Sequence, residues 1–121
     1  MGHPMIYEHQ QLANGRWQGL SIFEQMAHIG SEVERTIKWR NKNRVDFAHK
    51  AFERALELFD LTMMDPRNKN RLKEIIRARE LFSDYIVGDN LYSSSDAQWQ
   101  KYFYHFNFAS RVTKKEKRFI F

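Results

Sequence analysis

Arg44 and His49 stand in RVDFAH, an R-x4-H spacing. An imidazole can carry a proton between two oxygens, and a guanidinium can stabilise the charge of a pentavalent phosphate. On a helical wheel His49 falls at the edge of a polar face, which is also where a solvent-facing histidine falls. Two more pairs, Glu24 with His28 and His49 with Glu53, have i,i+4 spacing. Such pairs sit side by side on a helix and can share a metal or make an ordinary surface contact. Neither brings further ligands, so surface pairing is the expectation and no metal site is assigned. Glu-x-x-His, needed twice for a di-iron bundle, does not occur, nor do phosphate-cradling glycine loops, G-x-S-x-G or H-E-x-x-H. His3 and His9 lie in an irregular N-terminus, and His28 and His105 flank apolar faces. The expectation is a non-catalytic protein with no cofactor and no small-molecule substrate, with Arg44 and His49 as a catalytic pair in the alternative only.

The chain that must position these groups has 121 residues, of which 42% are hydrophobic and 15% aromatic. That is enough for one domain with a real core, and it is not a disordered composition. There is no cysteine, which excludes disulfide and thiolate chemistry and is compatible with an intracellular setting. No apolar run approaches the roughly 18 residues needed to span a bilayer, so the reading is cytoplasmic with no membrane contact.

The stretch Asn70 to Asn90 organises the rest. At 3.6 residues per turn, Leu72, Ile75, Ile76, Phe82 and Ile86 share one side, with Ala78 and Tyr85 at its margin. Asn70 is the expected N-cap, and Gly88 the expected left-handed residue after the last turn. Arg79 breaks the pattern by pointing into the apolar sector. A buried guanidinium needs an anion. Either Arg79 snorkels or pairs with an acid of a neighbouring helix, or it binds an anion inside a groove.

Residues 1–20 carry no helical pattern and form an N-terminal arm. Asn14-Gly15 is a turn signal that could close a short hairpin, and Trp17 and Leu20 are expected to fold back on the core. Ser21-Ile22-Phe23-Glu24 is a capping box opening a first helix through Met26, Ile29, Gly30, Val33 and Ile37 to about Arg40. Gly30 on its inner face suggests a close helix approach. A basic connector, Lys38 to Arg44, leads into a second helix from about Val45 to Met64. Ala48, Ala51, Phe52, Ala55, Leu58, Phe59, Thr62 and Met63 share its inner face. Asp65-Pro66 ends it. After the loop Gly88 to Asp96, Ser95-Asp96-Ala97-Gln98 is a second capping box. Trp99, Tyr102, Phe103, Phe106 and Ala109 of the helix that follows turn inward. Short connectors predict an all-α, antiparallel up-down-up-down four-helix bundle over residues 21–113, with a basic and apolar tail over 114–121.

Net charge is +5 and the pI is near 9.6. In that topology one end collects Arg67, Lys69, Arg71, Lys73, Arg111, Lys114, Lys115, Lys117 and Arg118, opposed by Asp65 and Glu116. The other end carries Lys38, Arg40, Lys42 and Arg44 against Asp84, Asp89 and Asp96. The first pole is the expected contact for nucleic acid or an acidic protein. Tyr104 and Phe108, outside the inward stripe of the last helix, are the expected interface of a homo-oligomer. Phe119 and Phe121 of the tail are placed to cover them in the same or another chain.

Two resemblances follow from quoted stretches. Arg44 to His49 resembles the R-x4-6-H motif of the HEPN superfamily, whose small helical proteins pair the arginine and histidine of two subunits for metal-independent RNA cleavage. Val45 stands where that family usually has a polar residue, and the motif lies early in the chain. FEQMAHIGSEVERTIKW (Phe23 to Trp39), RALELFDLT (Arg54 to Thr62), RLKEIIRARELFSDYIVGDN (Arg71 to Asn90) and KYFYHFNFASR (Lys101 to Arg111) are similar to stretches of small uncharacterised prokaryotic proteins. That resemblance implies a shared helical bundle and carries no residue roles.

Overall fold

The structure, a computed structural model, describes residues 15–120, with side chains as far as Val112. Among these the protein is all-α, with four helices and no strand. They are α1 (Ile22–Asn41), α2 (Val45–Met64), α3 (Leu72–Val87) and α4 (Asp96–Ile120). Two short 3-10 segments, Trp17–Gly19 and Pro66–Arg71, precede α1 and α3. The expected hairpin across Asn14-Gly15 falls largely outside the described residues. No helix of the described residues is long and apolar enough to cross a membrane.

The helix starts follow local chemistry. Ser21 Oγ accepts from the Glu24 amide at 3.1 Å, and Glu24 Oε1 accepts from the Ser21 amide at 3.2 Å, which makes the expected capping box. Ser95 and Gln98 repeat it at the start of α4. The α3 boundaries differ from the sequence expectation. Pro66 seeds a 3-10 helix that runs through Asn70 into α3, so the N-cap position falls on Arg71, with no side-chain cap. Gly88 has φ −97° and is not left-handed. Its reason is steric: a Cβ there would come within 2.9 Å of the Asp84 backbone. Asn90, at φ 50°, takes the left-handed turn instead. Its side chain then clamps the Ser94 amide at 2.8 Å and the Ser94 carbonyl at 3.1 Å.

α1 lies at the centre of the packing, against α2 and α4, while α3 lies on α2. The core joins Met26, Ile29, Val33 and Ile37 of α1 to Phe52, Ala55, Leu58 and Phe59 of α2. Ile75, Ala78 and Phe82 of α3 and Trp99 and Phe103 of α4 complete it. Each fully buried large side chain contributes about 1.5–3 kcal/mol. On α3 the buried line is Ile75, Ala78 and Phe82, and Ile76 is 38% exposed, so the inner face is rotated from the one expected. Gly30 permits the α1–α4 approach, because a Cβ there would lie 2.8 Å from Phe103 Cβ.

A buried polar network closes one end. Trp17, fully buried, donates from Nε1 to Thr62 Oγ1 at 3.0 Å. Gln25 donates to the Trp17 carbonyl and to Asp65 Oδ2, both at 2.9 Å. It accepts from Asn68 Nδ2 at 2.8 Å, and Asn68 also donates to the Thr62 carbonyl. Every polar group named here is matched, which buried polar atoms require. The network fastens the expected fold-back of Trp17. At the other end Arg40 reaches Asp96 at 2.9 Å and the Tyr85 hydroxyl at 2.8 Å, and its guanidinium lies over the Tyr85 ring. Tyr85 donates to Asp96. Burial and the Asp96 bond push the Tyr85 hydroxyl upward. Burial opposes charge on Asp96, but bonds from Tyr85, Asn41 and Arg40 outweigh it and hold the carboxyl below its ordinary range.

Candidate functional site

α1 ends in a six-residue capping motif. The Arg44 amide donates to the Trp39 carbonyl at 2.9 Å, and the Asn43 amide donates to the Arg40 carbonyl at 3.0 Å. Asn43 sits at φ 58°, the left-handed position such a cap needs and that asparagine tolerates. α2 follows at once, so residues from the last turn of α1 and the first of α2 share one surface. There the Trp39 and Phe47 rings lie 5.0 Å apart, inclined by 32°. Lys38 and Lys42 stand 5.2 and 5.7 Å from the Trp39 ring centre. Arg44 lies 4.8 Å from that of Phe47. Trp39 is half-buried and Phe47 is 44% exposed. Among the described residues Lys38, Lys42 and Arg44 have no ion-pair partner.

The other pole, where nucleic acid was expected, is less free than its charge count suggests. Arg67 bonds Asp65 at 2.6 Å and the Leu20 carbonyl at 2.7 Å. The Arg67 bonds are the largest influence on Asp65 and hold its carboxyl down at about 2. Asp65 in turn raises the Arg67 guanidinium. Arg71 is 3.7 Å from Glu74 and lies over the Phe23 ring. Lys69, Lys73 and Arg111 are exposed and unpaired among the described residues. The side chains of Lys114, Lys115, Lys117 and Arg118 lie outside the described residues, as do those of Phe119 and Phe121.

Arg44 and His49 are both exposed on the first turns of α2. His49 Nε2 pairs with Glu53 Oε1 at 2.9 Å along the same helix, while Arg44 is turned to Phe47. The hollow beside Arg44 is lined by residues 43–47 and does not reach His49. Among the described residues no cluster of three His, Cys, Asp or Glu could hold a metal. Tyr104 and Phe108 are 62% and 58% exposed, with rings 6.5 Å apart, and Val112 continues their stripe at 37%. Arg79 resolves as the pair with an acid of a neighbouring helix: its Nε meets Asp60 Oδ1 at 2.9 Å.

Two features were not read from the sequence. One is the polar network of Gln25, Thr62, Asp65 and Asn68, whose partners are remote along the chain. The other is the Trp39–Phe47 surface. Its signal was present in KWRNKNRVDF, where aromatic and basic residues interleave. No family model, curated protein or solved structure matches the chain.

Proposed function

We propose that the protein is a non-catalytic binding protein that holds single-stranded nucleic acid on the turn between α1 and α2. The observation that carries this is the pairing of two accessible rings, Trp39 and Phe47, with three cations, Lys38, Lys42 and Arg44, that no carboxylate among the described residues neutralises. Bases stack on aromatic faces whatever their sequence, and neighbouring cations take the phosphates. Arg44 and Phe47 serve this use together, since a guanidinium and a base can stack on one ring. This moves the nucleic-acid contact from the pole of Lys69, Lys73 and Arg111 to the opposite end. We read the four helices as an antiparallel up-down-up-down bundle. Support comes from the Gln25–Asp65 bond joining the start of α1 to the end of α2, and from the Arg40–Asp96 pair joining the end of α1 to the start of α4.

Fluorescence anisotropy with a labelled oligo-uridine tests the reading. The Trp39→Ala/Phe47→Ala protein is expected to lose at least tenfold in affinity, about 1–3 kcal/mol per stacked base. The Lys69→Ala/Lys73→Ala/Arg111→Ala protein should lose much less. The reverse order of losses, or no binding by the wild type at low salt, overturns the proposal.

Self-association is the second part of the reading, favoured by the exposed stripe Tyr104, Phe108 and Val112 on α4. Light scattering of the wild type and of Tyr104→Ser/Phe108→Ser should show an oligomer that the variant breaks to monomer. A monomeric wild type at tens of micromolar excludes it.

A further inference from the structure

A groove of about 440 Å³ opens between α3 and α4. That volume lies within the range of small-molecule sites. Ala78 and Leu81 of α3 and Trp99 and Tyr102 of α4 give it an apolar, aromatic lining. Its polar groups are not equivalent. Glu74 at one end accepts from the Tyr102 hydroxyl at 2.8 Å and is paired with Arg71, so its charge is answered. Burial, and then Glu74, push the Tyr102 hydroxyl well up, so it stays a protonated donor. Arg77 is the only cation in the lining, and it has no ion pair among the described residues. Trp99, 6% exposed, keeps a buried Nε1 with no acceptor among the described residues. An indole N–H withdrawn from water nearly always has a partner.

We infer that the α3–α4 groove binds an amphipathic monocarboxylate, whose apolar body lies against Leu81, Trp99 and Tyr102 and whose carboxylate pairs with Arg77. The argument rests on complementarity at both ends of such a molecule. The apolar lining would reject a compact, highly charged anion, whose desolvation one arginine at the rim does not offset. A neutral apolar ligand would leave Arg77 unused. This site is separate from the α1–α2 turn, so it stands or falls independently of nucleic-acid binding.

Octanoate is the probe, with 4-phenylbutyrate as its aromatic counterpart and 1-octanol as the uncharged control. The three tryptophans, Trp17, Trp39 and Trp99, give separate indole N–H resonances, assigned with single Trp→Phe variants. The expected result is saturable, one-to-one binding of a carboxylate that moves the Trp99 indole signal and leaves Trp39 in place. Arg77→Gln should weaken carboxylate binding about tenfold, the effect of losing one charge-assisted contact, without weakening octanol. Leu81→Trp, which fills the groove, should abolish binding while leaving the Trp39 signal unchanged. Tighter binding of octanoate or of phenylbutyrate says whether the natural ligand is aliphatic or aromatic. No saturable binding by either acid, a response at Trp39 instead of Trp99, or equal affinity in wild type and Arg77→Gln overturns the inference.

Discussion

Asp65 and Arg67, two residues apart, close a 2.6 Å ion pair in which the carboxylate is 1% exposed and the guanidinium 50% exposed. The carboxylate also accepts from Gln25, so the pair anchors the end of α2 to α1. Its carboxyl sits at about 2, against an ordinary 3.8, chiefly through the Arg67 bonds. A carboxylate depressed in the folded state stabilises it above the unfolded pKa and stops doing so as pH falls through the folded pKa. The shift corresponds to about 2 kcal/mol, present above about pH 4 and lost progressively towards pH 2. Urea unfolding between pH 2 and 6 checks this. Asp65→Asn should be the weaker protein at pH 6, and the gap to wild type should close on acidification. A gap that stays constant down to pH 2 removes the pair as its source.

Thr62 Oγ1 receives the Trp17 indole N–H and itself donates to the Leu58 carbonyl at 2.7 Å. Thr62→Val keeps the shape and deletes the acceptor, leaving a fully buried donor unsatisfied. The expected loss is about 1–3 kcal/mol. Thr62→Ser keeps the oxygen and loses one methyl, about 1 kcal/mol. Chemical denaturation followed by tryptophan fluorescence should therefore rank the proteins wild type, Ser, Val. If Val is as stable as Ser, the indole bond adds nothing to the fold.

These contacts mark where the sequence was legible and where it was not. The bounds of α2, Val45–Met64, follow from an apolar repeat that needs no knowledge of neighbours. Both capping boxes follow from side chains three residues apart. Gln25 read as an ordinary polar residue because its partner, Asp65, is 40 positions away. Asn70 looked like an N-cap because a 3-10 segment seeded by Pro66 cannot be told from helix by periodicity. The basic pole came from adding charges, and addition cannot see that Asp65 holds Arg67. Arg79 was legible as an anomaly, and only the position of Asp60 decided between a pair and a ligand contact.

Gly30 faces Phe103 Cβ at 2.8 Å from where its own Cβ would be, and Phe103 cannot yield as a flexible chain end would. Overpacking of this kind costs about 1–3 kcal/mol. Alanine's better helix propensity returns up to about 1 kcal/mol. Gly30→Ala should therefore be neutral to destabilising by about 2 kcal/mol. Gly19→Ala, where a Cβ meets nothing within 4 Å, should change stability by less than about 0.5 kcal/mol. Thermal unfolding of the two variants side by side reads the difference. A clearly stabilised Gly30→Ala would mean that α1 and α4 have room to part.

Arg79 and Asp60 are each about a third exposed, at 32% and 31% of their side chains. Water screens a pair so placed, and its coupling should be about 0.5–1 kcal/mol. A double-mutant cycle with Arg79→Met and Asp60→Asn measures it free of the separate packing effects. Coupling above about 2 kcal/mol would show that the pair is far less hydrated than its exposure indicates. Coupling near zero would leave Arg79 held by packing of its stem alone.

Salt separates the two halves of the proposed nucleic-acid surface. For a single strand, each phosphate neutralised contributes about −0.7 to the slope of log K against log salt. Lys38, Lys42 and Arg44, none of them neutralised by a carboxylate among the described residues, set an expected slope of about −2. Lys42→Ala/Arg44→Ala should flatten it to about −0.7, because only Lys38 is left to displace counterions. Trp39→Ala/Phe47→Ala should lower affinity by a similar factor at every salt concentration and leave the slope near −2, since stacking releases no counterions. Anisotropy titrations across a tenfold range of salt provide all three slopes. A slope of about −2 that survives Lys42→Ala/Arg44→Ala assigns the phosphates to other cations, with Lys69, Lys73 and Arg111 the next to replace.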